Sequence, residues 1–157
     1  IHPSSTTTLQ SIMKKQFPIS CSASSSYNNG DGYSCENLFD SALSSWQDNS
    51  LQCQDGWIEF SFAKEIYIEF IVFQNVKDSK SFARNFNARD ILITTDDIDN
   101  SINKELTNDN SSQWVDINQT TSYLKIDILS AYPGEEVGGS QAFDECAIQE
   151  ITFWGRG

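Results

Sequence analysis

The stretch WIEFSF, residues 57–62, constrains this chain more than any other: Ile58, Phe60 and Phe62 fall on one side, and Trp57, Glu59 and Ser61 on the other. An extended backbone sends successive side chains to opposite faces, so this alternation marks a strand with one buried face. The run YLKIDIL repeats it, with Leu124, Ile126 and Ile128 inward and Tyr123, Lys125 and Asp127 outward. Between them IYIEFIVF, residues 66–73, is β-branched and aromatic almost throughout, which predicts a central strand covered on both sides. Further strands are expected at residues 19–24, 89–94, 114–117 and 148–154. Helix signals are scarce, with one turn expected at 35–40 and another at 101–106. Strands separated by Asn, Asp, Gly and Ser turns predict an all-β fold, an antiparallel jelly-roll β-sandwich.

A chain of 157 residues is long enough for one domain with its own core. Residues 1–16 open on IHPSSTTTLQS, rich in Ser and Thr and without periodicity. They read as a leader or linker from something upstream, with the sandwich occupying 17–157.

The formal net charge of −12 and the lack of a basic stripe exclude a phosphate-backbone partner and disfavour an anionic membrane surface. No apolar run reaches the eighteen or so residues of a spanning helix. The one histidine is His2, in the leader, so neither a Ser-His nor a Cys-His pair can form in the folded body, and a zinc knuckle has no ligands. No enzymatic activity is expected. Cys21, Cys35, Cys53 and Cys146 are even in number and include no CxxC, which suggests two disulfides and an oxidising compartment: secreted, cell-surface or periplasmic. Three pairings are open. Cys35–Cys53 is the expectation, because both lie in loops flanking one short segment, leaving Cys21 and Cys146 near the two ends.

SASSSY (22–27), ENLFDSALSSW (36–46), DGWIEFSF (55–62) and the closing EITFWG (150–155) come in an order that resembles the discoidin, or coagulation factor 5/8 type C, family. A Tyr132-Pro133-Gly134 turn after Ala131, then Phe143-Asp144-Glu145-Cys146 and Ile148-Gln149-Glu150-Ile151, is similar to a bacterial branch of it. That branch includes the glycan-binding translocation domain attached to streptococcal NAD glycohydrolase. The resemblance implies a galactose-binding-like jelly roll. Two segments depart from the pattern. The usual Asp-Gly-Asp-Pro-Ser-Thr-x-Trp is here Asp40-Ser41-Ala42-Leu43-Ser44-Ser45-Trp46, and the branch's Asn-Gly-Arg is here Asn85-Phe86-Asn87 after Arg84.

The resemblance also implies a structural calcium beside the first of these segments, with Asp40 and Glu150 as carboxylates and Ser45 adding an oxygen. It implies binding through loops at one end of the sandwich, to a glycan or, alternatively, to a host or extracellular-matrix protein. A sugar needs an aromatic face for its C–H side and planar amides or guanidinium for its hydroxyls. Phe82, Arg84, Asn85 and Asn87 combine these within six residues. Tyr27, Asn29, Asp31 and Tyr33 form a second cluster, and Trp46 and Gln47 follow the altered turn. Residues 96–100, DDIDN, lack the glycine and glutamate of an EF-hand and read as a solvated acidic turn.

Overall fold

The computed structural model describes residues 12–40 and 44–157. Its strands are β1 (Lys14–Gln16), β2 (Ser20–Ala23), β3 (Trp46–Gln47), β4 (Trp57–Gln74), β5 (Asn87–Ala88), β6 (Asp90–Thr95), β7 (Ile102–Glu105), β8 (Gln113–Ile128), β9 (Ala131–Tyr132), β10 (Ala147–Ile148) and β11 (Glu150–Arg156). One short helix, α1 (Ser79–Arg84), lies between β4 and β5.

Seven strands form one antiparallel sheet, ordered β1-β11-β4-β8-β6-β7, with β2 added to β4. It becomes a sandwich because β4 and β8 each run through both layers. The first part of β4 pairs with β2 and with the end of β8, while its second part pairs with β11 and the start of β8. The register breaks between Ser61 and Ile66, where Ala63, Lys64 and Glu65 are exposed. Folding the sheet there brings Phe60 and Phe62 of one layer against Phe153 of the other, at 4.9 and 5.2 Å between ring centroids. Buried residues on β4 are Ile58, Phe60, Phe62, Ile66 and Ile68, then Ile71 and Phe73. The change from even to odd follows a bulge at Glu69, one extra residue of β4 against β11, which flips every later side chain.

Several expectations are corrected. Residues 101–106 form no helical turn; Ile102–Glu105 is the edge strand β7 paired with β6. Among the described residues the one α-helix is α1, whose N-cap Asp78 accepts from the Ser81 N–H through Oδ2 (2.9 Å). The segments 114–117 and 123–129 are a single strand, β8. The second part of β4 is central but not covered on both sides. On its outer face Phe70 stacks between Trp114 (4.9 Å) and Trp154 (6.2 Å), and Trp114 is 64% exposed. Lys14–Gln16, placed in the leader by the sequence, pair with Gly155, Trp154 and Phe153, so the sheet begins before Phe17. The remainder of the leader to Ser11 lies outside the described residues.

The disulfides are Cys21–Cys35 and Cys53–Cys146. The expected Cys35–Cys53 bond fails because the segment between them crosses the fold. It buries Leu38 and Trp46, and then β3 pairs with β10, which carries Cys53 to the residue preceding β10. Cys21 on β2 meets the single helical turn at Cys35–Leu38, the turn the sequence did predict.

On the outer face of the other layer, the Tyr123 hydroxyl donates to Glu59 Oε2 (2.8 Å). Burial, and then that bond, pushes the Tyr123 phenol up to about 12. A raised phenol contributes stability fully below its ordinary value of 10 and loses it as pH rises through the folded value. The unfolding free energy is therefore expected to fall between about pH 10 and 12, and Tyr123→Phe to flatten that fall in chemical-denaturation curves.

Candidate functional site

Two short ladders, β3–β10 and β5–β9, and the loops that join them gather at one end of the sandwich. The organising group is Asp48, directly after β3 and 1% exposed. Its carboxylate accepts from the backbone N–H of Cys146 (2.8 Å), Cys53 (2.9 Å) and Leu51 (3.3 Å). Asp48 N–H in turn donates to the Cys146 carbonyl (3.0 Å). Burial pushes the Asp48 carboxyl above its ordinary value, while these backbone bonds pull it back down. Its neighbour Gln47 is thereby fixed beside Glu145. The Gln47 N–H donates to the Tyr33 carbonyl (3.3 Å), which brings in the loop after β2. That loop is further tied by the Trp46 indole N–H to the Ser25 carbonyl (3.0 Å), and Tyr27 meets Tyr33 edge to face at 5.3 Å.

The third side is built by α1 and the loop after β9. Glu135 N–H donates to Ala83 O (2.9 Å), and Phe143 N–H to Arg84 O (2.8 Å). Gly134 passes so near the end of α1 that a β-carbon there would overlap the Arg84 carbonyl oxygen. The Arg84 side chain turns back, donating from Nε to Gln141 O (2.7 Å), with its guanidinium carbon 3.8 Å from the Phe143 ring centroid. The outcome is a depression of about 190 Å³ lined by Tyr27, Tyr33, Gln47, Phe143 and Glu145. Among the described residues, the hydroxyls of both tyrosines and the Gln47 amide have no protein partner. Glu145 Oε2 accepts from Ser50 Oγ (2.6 Å).

The structure therefore brings Arg84 and Tyr33 to one place, from loops about fifty residues apart. It does not bring the other sequence candidates with them. Asn85 and Asn87 are each 2% exposed, and Asn87 Nδ2 donates to Phe82 O (3.0 Å), so neither side chain is presented to solvent. Trp46 is fully buried between the layers, and Phe82 is half-buried on α1. Asp31 is exposed in the tyrosine loop but does not line the depression. Sequence reasoning missed Phe143 and Glu145, which lie in the segment Phe143-Asp144-Glu145-Cys146. Its aromatic beside a carboxylate was the available signal.

No protein-family model matches the chain, and no curated protein does. Solved structures do. The family 32 carbohydrate-binding module of NanJ from Clostridium perfringens, solved with galactose, superposes with a TM-score of 0.64 at 14% identity, over 91% of this chain and 99% of that one. The fold is that of family 32 carbohydrate-binding modules. CpGH89CBM32-5 from Clostridium perfringens, in complex with GalNAc-β-1,3-galactose, gives 0.62 at 12% identity over 90% and 94%. A mutant lectin binding domain of Lectinolysin, complexed with Lewis b, gives 0.63 at 11% identity over 90% and 94%.

On this family 32 frame, the described residues that the resemblance implies for calcium are Asp40, Ser45 and Glu150. Asp40 is exposed, and Glu150 is half-buried beside Phe39. The Ser45 carbonyl already accepts from Asn37 Nδ2 (2.9 Å), which also donates to Gly32 O (2.9 Å). The altered turn residues 41–43 lie outside the described residues.

The contact at Gly134 gives a direct test of how α1 is seated. Gly134→Ala is expected to push the loop off α1 and destabilise the fold by about 2–3 kcal/mol, as overpacking against backbone does. A thermal melt reads the stability, and loss of Arg84–Phe143 contact shows in the aromatic region of the NMR spectrum.

Proposed function

We propose that this domain is a non-catalytic carbohydrate-binding module that holds one sugar residue in the depression between Tyr33, Gln47 and Phe143. The observation that carries this reading is three aromatic rings set around hydrogen-bonding groups that have no partner among the described residues. A pyranose offers the complementary pair, an apolar C–H face and a rim of hydroxyls. Arg84 serves by bracing Phe143 from behind. The galactose, GalNAc-containing and Lewis b ligands named for the three structures of the same fold agree with it. Two disulfides suit an extracellular or periplasmic setting.

Size sets the expected strength. A hexose of about 12 heavy atoms at roughly 0.3 kcal/mol per atom binds near 4 kcal/mol, a Kd of about 1 mM. The test is a multivalent glycan array followed by NMR titration, each in calcium and in EDTA. A focused set of hits is expected in both buffers, weakened roughly tenfold or more by Arg84→Ala and by Phe143→Ala. A blank array from folded protein would overturn the sugar reading. A second reading, adhesion to a host or matrix protein, draws on the open Trp154–Phe70–Trp114 face and predicts capture that Trp114→Ala abolishes and Arg84→Ala does not.

A further inference from the structure

The depression carries a charge pattern that a neutral sugar does not require. Its wall holds one carboxylate, Glu145, and no Lys or Arg. Glu145 Oε2 is bonded to Ser50 Oγ, which leaves Oε1 with no partner among the described residues. The nearest described cation, Arg84, is not among the lining residues. It is tied to the Gln141 carbonyl and covers one face of Phe143. Asp144 follows Phe143, and its Oδ1 accepts from Gln52 Nε2 (3.1 Å). The remaining walls are the π-systems of Tyr27 and Tyr33, set at 87° to each other, and of Phe143. Aromatic faces carry negative potential, and rings at right angles beside a carboxylate form a partial cage for an organic cation. The chain around it is strongly acidic, at a net −12.

We infer that the sugar bound here is a hexosamine with a free, protonated amino group, its ammonium between Glu145 and the tyrosine rings. This rests on the sugar-binding reading above. Sugar hydroxyls meet Gln47 and the tyrosine hydroxyls, and the ring's C–H face meets Phe143. Uronic and sialic acids are repelled by Glu145 and by the field of the whole chain. N-acetylation removes the charge and adds bulk on the atom that the carboxylate would hold.

The experiment is an NMR titration of the intact 157-residue chain with glucosamine and galactosamine, their N-acetyl forms, the parent hexoses, galacturonic acid and choline. The free amine is expected to bind roughly tenfold more tightly than its N-acetyl form at low salt. That ratio should shrink at high salt in the wild-type protein, a readout that needs no variant. Glu145→Gln should bring it to within about twofold. Glu65→Gln, which removes the same unit of charge from the exposed bend of β4 on the far side of the register break, should leave it unchanged. If N-acetyl or neutral sugars bind as well as the amine, or the ratio survives Glu145→Gln, the amine assignment is overturned and the sugar reading stands. If choline binds as tightly as the hexosamines, the charge alone is recognised and the assignment to a sugar falls. If no sugar binds at all, both readings fail together.

Discussion

Asp48→Ala is expected to lower stability by roughly 3–4 kcal/mol, and the thermal midpoint by about 10 °C. The substitution takes the acceptor from the N–H groups of Cys53 and Cys146, which are 3% and 0% exposed and have no water to turn to. Each orphaned buried donor costs about 1–3 kcal/mol. Binding should fail along with stability, since Asp48 sets Gln47 against the segment that carries Phe143 and Glu145. Asp48→Asn keeps one acceptor oxygen and should cost about half as much. Its deficit should also vary with pH in a definite sense. Burial raises the Asp48 pKa above the unfolded value, so the wild-type protein gains most from this group at or below that value and less as pH rises through the folded one. The asparagine variant is then expected to lag further behind in acid than at neutral pH. A deficit that grows toward neutral pH would contradict the assignment. Acid lability must come from other carboxylates, such as Asp96, which the Ser122 N–H holds below its ordinary value.

The second large effect concerns the two disulfides, which close loops of very different length. Cys53–Cys146 spans 93 residues and Cys21–Cys35 spans 14. Loop-closure entropy alone puts their contributions at about 4.6 and 3 kcal/mol. Paired Cys→Ala variants should therefore unfold at lower denaturant than wild type, with the Cys53/Cys146 pair the weaker of the two. Equal midpoints would show that native contacts around the bonds matter more than chain length. The Cys53/Cys146 variant and Asp48→Ala should also be non-additive, because the carboxylate and the sulfur bridge hold the same two backbone sites.

Period-two alternation was enough to find the long strands β4, β6, β8 and β11, and the order of motifs was enough to place them in a jelly roll. What alternation cannot show is continuity. Residues 57–62 and 66–73 read as two strands because the exposed Ala63-Lys64-Glu65 interrupts the alternation, although one extended strand, β4, runs through both. Local propensity misassigned residues 101–106, where pairing with β6 overrides it. In the site, Arg84 was legible because its neighbours are amides and an aromatic. Those same neighbours misled, since Asn85 and Asn87 are both buried and the Asn87 Nδ2 donates to backbone carbonyls. Phe143 stands 59 positions from Arg84, and the backbone bonds of its loop to α1 and the close fit of Gly134 make them partners. Asp48 looked like one acid among 22, and nothing in its flanks distinguished it.

Antiparallel pairing of β1 with β11 sets Lys14 beside Gly155, while the tyrosine and Phe143 loops sit where β11 begins. The seven residues of β11 alone span roughly 23 Å. Ile12 and Gly157 therefore leave the molecule side by side, from the pole opposite the depression. A bead, a membrane tether or a second polypeptide attached after Gly157 would hold the domain like a torch by its handle, with the aromatic end pointing outward. Immobilisation through a C-terminal tag should thus cost no access to ligand.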